Sequence, residues 1–296
     1  MQKFKVICPL INFQIPWNVL FGPHKRTDEE TNQLFKERRE KVVEGVELID
    51  GVKVRYISKE DLEDLKREPF FSSFFPHEMR ESISSEKFVL ERIITTEESH
   101  KFETNNVIRS IILALRLLKG GWVFGNYVFY IRLSEKRGLT GWSQVQNLNP
   151  QTPVGWMKYV LDFEEIPDLK KLLKKIQKVD FSERKSLGLA CKRFQRAYEE
   201  SDVEDQLIDL MIAFEALFLK GKKSMSQRGE VIAVACSILL GRNEKEREEI
   251  RNSLTKAYSM RNSIVHGAEY KKESDMLEFV AQIEEYLRGS IKKLLD

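Results

Sequence analysis

Cysteine and histidine are scarce in this chain: 296 residues hold three of the first and four of the second. Cys8, Cys191 and Cys236 lie far apart, with no CxxC and no Cys/His spacing, so the residues support neither a disulfide framework nor a zinc site and fit a reducing, cytoplasmic setting. No cluster of carboxylates, thiols or imidazoles stands at metal-ligand spacing, and neither a metal nor a cofactor is expected. Long apolar runs are missing as well. The opening MQKFKVICPLINFQIPWNVLF is interrupted by Lys3, Lys5, Pro9, Asn12, Gln14 and Pro16 and lacks a small-residue cleavage site, unlike a signal peptide. SIILALRLL is far too short for a membrane span, and no membrane partner is expected. A surplus of one charge sign is absent too: Lys and Arg number 49 against 46 Asp and Glu, and residues 181–296 hold 20 of each. Any nucleic-acid footprint must therefore be local.

What is present is the 42% hydrophobic and 32% charged content of a globular chain, long enough for one large or two ordinary domains. Residues 4–15 and 122–133, rich in Val, Ile, Phe and Tyr, read as strands, and SSEKFVLERIITTE near residue 90 reads as another. Between them TDEETNQLFKERREKVVE, SKEDLEDLKREPFF and ETNNVIRSIILALRLLKGG read as helices, the first and last opening on Thr27 and Thr104. RGLTGWSQVQNLNPQTPVGW has the Gly, Pro, Asn and Thr content of a loop, and MKYVLDF reads as a short strand. From there on the pattern is helical: 168–178, 182–200, 202–219, 226–240, 244–266 and 274–294, with Ser201 and Glu204 as a capping box and Gly241 and Gly267 at C-cap positions. The expected class is α+β, with a mixed α/β domain over residues 1–160 and an all-α bundle over 161–296.

Chemistry concentrates in AYSMRNSIVHG, residues 257–267. Stepping about 100° per residue from Tyr258 puts Ile250, Leu254, Ala257, Met260, Ile264 and Val265 on one core-facing arc, and Arg261 falls inside it. An arginine on an apolar stripe either snorkels out or finds an anion. Asn262 and His266, four residues apart, share a face at the border of the arc. A matching acid occurs in LIDLMIAFEALFL, where Glu215 is flanked by Ile208, Met211, Phe218 and Leu219. A pair between Glu215 and Arg261 across two packed helices is the simplest solution, with Arg228 the rival donor. In LKKLLKKIQK, Lys170, Lys171, Lys174, Lys175 and Lys178 oppose Leu169, Leu172, Leu173 and Ile176, which makes either a phosphate-binding stripe for RNA or a solvated face.

R-N-S-I-V-H fits the signature of an arginine, a polar residue, a short spacer and a histidine that marks the HEPN superfamily. YVLDFEEIPDLKKLLKKI, ACKRFQRAYEESDVEDQLIDLMIAFEALFL, RGEVIAVACSILLG and AYSMRNSIVHG, in that order over residues 159–267, resemble the Apea-like HEPN branch. The resemblance implies a HEPN-like helical bundle and a metal-independent ribonuclease site in which Arg and His of two protomers meet. It assigns Arg261 and His266 as the catalytic pair, Asn262 as the polar residue beside them, and Glu215 as a supporting acid. It further implies RNA as partner, a homodimer, and a setting in host defence or toxin-like RNA cleavage, with residues 1–160 open to a regulatory partner or ligand. The alternative is a noncatalytic module in which the same residues hold a dimer or bind RNA, a nucleotide or a partner protein. A histidine at a helix end can also simply cap carbonyls.

Overall fold

The computed structural model describes residues 2–16, 27–66, 88–95, 98–134, 137–144, 158–219, 227–267 and 276–296. The chain is mixed α+β, an N-terminal antiparallel sheet followed by C-terminal helices, and it divides into two compact units. The first comprises residues 1–148 and 155–174, the second 149–154 and 175–296. The division falls between Lys174 and Lys175, inside the lysine-rich helix.

The first unit is built on strands β1 (Lys3–Leu10), β3 (Val46–Ile49), β4 (Val52–Tyr56), β5 (Phe88–Thr95), β6 (Tyr127–Arg132) and β7 (Gly138–Gln144), in the order β3-β4-β5-β1-β6-β7 and antiparallel throughout. A parallel pair, β2 (Phe13–Gln14) and β8 (Tyr159–Val160), stands apart. Helices α1 (Asp28–Glu44), α2 (Lys59–Lys66) and α3 (Glu98–Leu118) complete the unit. The central strand β1 is covered on both faces, which explains why VICPL is an unbroken apolar run and not an alternation. On one face Ile7 joins Phe129, Ile131 and Leu139 around Leu65 of α2. On the other, Tyr130 of β6 donates from its hydroxyl to Asn105 of α3 at 3.0 Å.

Two sequence expectations change here, and a stretch outside every expected element gains structure. VELIDGVKVRY forms a β3–β4 hairpin: Asp50 (φ 49°) and Gly51 (φ 72°) make a two-residue turn with both residues left-handed, the turn whose twist suits paired strands. Residues 138–144, read as loop, form the edge strand β7, since β6 supplies its backbone partners and Trp142 packs edge-on against Tyr127 at 5.5 Å. The rest of that loop, residues 145–157, lies outside the described residues. Thr104 does not open a helix. It is fully buried inside α3, which starts at Glu98, whereas Thr27 does cap α1, in a capping box with Glu30.

The strand register brings Lys5, Arg55 and Glu91 to the α2 face, where they meet acids from α2. Asp61, fully buried, accepts from Lys5 Nζ at 2.5 Å and from Arg55 Nη1 at 2.6 Å. Asp64 accepts from Arg137 at 2.7 Å, and Glu91 accepts from Arg55 Nε at 2.9 Å. Ser58 and Asp61 cap the start of α2 reciprocally. Burial alone would raise the Asp61 pKa, but hydrogen bonds from Arg55, Lys5 and the Ser58 N–H hold it well below the carboxylate range.

The second unit contains helices α5 (Lys185–Ala197), α6 (Val203–Phe218), α7 (Arg228–Leu240), α8 (Glu244–His266) and α9 (Met276–Leu294); α4 (Ile166–Lys178) carries the division. These boundaries follow the sequence pattern closely, with one shift: α6 is capped by Asp202, which accepts from Glu204 N at 2.7 Å, and not by Ser201. Helix α6 packs against α5, α7, α8 and α9, and its buried side chains are mostly apolar, with buried Asp209 paired to Arg193 of α5. Among the described residues no helix is long and apolar enough to cross a membrane.

Asp61→Ala is expected to cost the first unit about 3–5 kcal/mol, because it strands Lys5 and Arg55 without their shared acid. Since the folded-state pKa of Asp61 is depressed, its contribution is complete above the unfolded value of about 3.9 and is lost as pH falls below it. Trp122 and Trp142 belong to this unit, so urea melts read by tryptophan fluorescence in an acid series check both points. An unchanged midpoint in the variant would remove the claim.

Candidate functional site

Helix α8 positions the residues singled out in AYSMRNSIVHG. Asn243 caps its start, accepting from Glu246 N at 2.9 Å, and Gly267 ends it in the left-handed conformation (φ 65°). Ile250, Leu254, Ala257 and Met260 face the core, as the helical arc requires. Val265, placed on the same arc, is 49% exposed: the last turn of α8 has passed the end of the packed core. Arg261 and Asn262 are half-buried and His266 is exposed.

Arg261 and Glu215 face one another, but loosely. Nη2 lies 3.8 Å from Oε1, inside ion-pair range and beyond a hydrogen bond, with about a fifth of each side chain exposed (19% and 21%). Glu215 Oε1 and Arg261 Nε are themselves buried and make no hydrogen bond to a described residue. The Tyr258 hydroxyl completes the group. Its pKa is held above the ordinary value first by burial and then by the neighbouring Glu215 carboxylate, with Arg261 and Arg228 pulling the other way. Arg261 is therefore the nearer partner of Glu215, while Arg228 acts on the cluster through its charge and pairs with no described residue.

Arg261 also fixes Asn262. Its Nη1 donates to Asn262 Oδ1 at 3.1 Å, so the amide oxygen is committed to the guanidinium and the amide N–H2 is left to point elsewhere. Asn262 lines a cleft of about 390 Å³ between the start of α7 and the middle of α8, together with Gln227, Arg228, Thr255, Tyr258 and Ser259. Helix α7 can approach so closely because Gly229 has no side chain: a Cβ there would lie 2.7 Å from the Tyr258 ring. His266, one helical turn beyond Asn262, makes no hydrogen bond to a described residue.

The other expected residues divide. Leu169, Leu172, Leu173 and Ile176 are buried as the pattern requires. Of the lysines opposite them, Lys171 pairs with Asp168 at 2.9 Å, Lys175 pairs with Asp296, Lys174 and Lys178 are exposed, and Lys170 is half-buried. Two of the five charges are thus already matched. The thiols are buried packing residues, with burial pushing Cys8 and Cys191 up to about 12 and Cys236 to about 11. Sequence reasoning missed Tyr258, Thr255 and Ser259 as site residues, although the spacing of residues 255, 258, 259 and 262 places them on one helix face. It also missed a cleft of about 450 Å³ in the first unit that opens onto Lys5, Arg55, Asp61, Glu91 and Arg137, whose charges are matched to one another.

No protein-family model, curated protein or solved structure matches this chain. What the site can do therefore rests on its chemistry: a guanidinium balanced by a carboxylate, an amide oriented by that guanidinium, and an accessible imidazole on the same helix.

Glu215→Ala is expected to cost the helical unit about 1–2 kcal/mol, less than a fully buried bridge, because the pair is partly solvated and not hydrogen-bonded. His266→Ala, at an exposed position, should stay within about 0.5 kcal/mol of the parent. Thermal melts followed by far-UV circular dichroism check the order, and equal losses in the two variants would contradict it.

Proposed function

We propose that this protein is a metal-independent endoribonuclease of the HEPN type, with Arg261, Asn262 and His266 as its working residues and Glu215 in support. The observation that carries this reading is the Arg261–Asn262 contact on the helix that ends at an exposed His266, with Glu215 behind the arginine. The 2′-hydroxyl of RNA attacks the adjacent phosphorus, the bond to the 5′-oxygen breaks, and the products carry a 2′,3′-cyclic phosphate and a 5′-hydroxyl. Arg261 stabilises the charge that gathers on the phosphorane oxygens, and Asn262 orients the phosphate. The reaction needs a base for the 2′-hydroxyl and an acid for the 5′-oxygen.

One chain carries a single His266, so we place the reaction in a homodimer in which two copies contribute one imidazole each. Support comes from Val234 and Ile238, 38% and 64% exposed on one face of α7, and from exposed Val265 beside His266. Accessible apolar side chains on α7 and at the end of α8 suit a second copy.

With mixed RNA as substrate, cutting is expected to survive EDTA, to spare DNA, and to leave cyclic-phosphate and 5′-hydroxyl ends by mass spectrometry. Arg261→Ala and His266→Ala should each lower the rate by about 10²-fold or more. The active species should sediment as a dimer. Ends carrying 3′-hydroxyl and 5′-phosphate would overturn the mechanism. Binding of RNA without any cutting would make the chain a noncatalytic RNA-binding module.

A further inference from the structure

The two clefts differ in a way that points to a ligand. In the first unit's cleft every lysine and arginine already holds a carboxylate: Lys5 and Arg55 on Asp61, Arg137 on Asp64 and Glu60. A ligand entering there would have to break ion pairs that the fold uses. The cleft at α7 and α8 has the opposite character. No carboxylate lines it among the described residues, and Glu230, in the first turn of α7, is not part of its wall.

What does line it donates hydrogen bonds. Arg228 is exposed and pairs with no described residue, so its guanidinium is available. Asn262 presents its N–H2, because Arg261 occupies its oxygen. Thr255 and Ser259 supply hydroxyls, the Tyr258 hydroxyl being engaged by Glu215, and Gln227 leaves the α7 N-terminal N–H groups without a side-chain cap. Arg261, by contrast, is balanced by Glu215. Among the described residues the cation in the wall is Arg228, and no described carboxylate pairs with it.

We propose that this cleft is a backbone-phosphate subsite for single-stranded RNA, in which Arg228 holds a phosphodiester next to the one presented to Arg261 and His266. The assignment of RNA rests on the function proposed above; the anion preference rests on the cleft alone. Arg228 is a positioning residue: it sets where the strand lies and takes no part in bond breaking.

The test uses the full chain and a short fluorescein-labelled 2′-O-methyl oligoribonucleotide, which can bind but has no free 2′-hydroxyl to attack. Anisotropy titrations at several salt concentrations compare the parent with Arg228→Ala, Arg228→Lys and Arg242→Ala. Arg242 is an exposed arginine just past the other end of α7, roughly 20 Å along its axis, and controls for net charge. Arg228→Ala is expected to weaken binding about tenfold and to reduce the log–log salt slope by about 0.7, the share of one phosphate contact on a single strand. Arg228→Lys should recover part of the loss, and Arg242→Ala should match the parent. In the cleavage assay Arg228→Ala should raise KM and leave kcat near the parent value.

Equal losses at Arg228 and Arg242, or none at Arg228, would overturn the subsite even if the protein cuts RNA. Failure of the parent to bind the oligonucleotide would overturn it too. Arg228-dependent binding without any cutting would uphold the subsite and defeat the ribonuclease reading, so the two claims fail separately. Competition by inorganic phosphate at concentrations as low as the oligonucleotide's would replace RNA by a free anion and overturn the assignment.

Discussion

A helix surrounded by four others has little room for charge, and α6 nonetheless carries Glu215 near its end. That acid must face a cation or draw in water, because a carboxylate left without either in an apolar setting costs several kcal/mol. Arg261 meets the requirement from α8, and the arrangement of the candidate site follows. With Arg261 turned to Glu215, Nη1 reaches Asn262; with Asn262 held by its oxygen, its N–H2 group turns elsewhere; and Tyr258, which feels both charges, packs on Gly229 and fixes the distance between α7 and α8.

The first unit solves the same electrostatic problem differently. Asp61 is fully buried and takes hydrogen bonds from Lys5, Arg55 and the Ser58 backbone, so each charge is compensated at short range. A network satisfied in this way rigidifies a core. At Glu215 and Arg261 the compensation is incomplete: the closest approach is 3.8 Å, and one buried polar atom on each side makes no hydrogen bond to a described residue. Buried polar atoms left unsatisfied are uncommon in folded proteins and concentrate where chemistry or ligand exchange needs them. The two ion networks thus balance charge differently, the first through short hydrogen-bonded contacts and the second through a longer ion pair.

The helical unit was legible because its signals are local. An apolar period of 3.6, Asn243 before α8 and Gly267 after it define elements that need no distant partner. The pairing of Glu215 with Arg261 was legible for a related reason: each breaks an apolar stripe, and two such breaks of opposite sign call for each other. The sheet was harder. Asp50-Gly51 is a strong hairpin signal in the sequence, but β7 has two glycines and alternation too weak to mark it as a strand without β6 beside it. The Lys5–Asp61–Arg55 network could not be read at all, since it depends on β1, β4 and β5 lying in one register. The role of Thr255, Tyr258 and Ser259 as cleft residues was hidden for a related reason, since a cleft belongs to two helices at once, and Arg228 was legible only as a rival partner for Glu215.

The choice of arginine at position 261 is itself informative. A lysine there would place a point charge near Glu215 and have no planar fork with which to hold Asn262 at the same time. The guanidinium does both, with Nη2 toward the carboxylate and Nη1 on the amide oxygen. Because the contact to Glu215 stops short of a hydrogen bond, the acid offsets the charge without fully occupying the donors. An incoming phosphate thus meets a group whose position is set but whose hydrogen bonds are not all spent. In the proposed ribonuclease, the full positive charge that attracts the strand is that of Arg228, on the neighbouring helix. The proposal thus gives attraction and chemistry to different arginines, so that the first acts over distance while the second stays fixed in its frame.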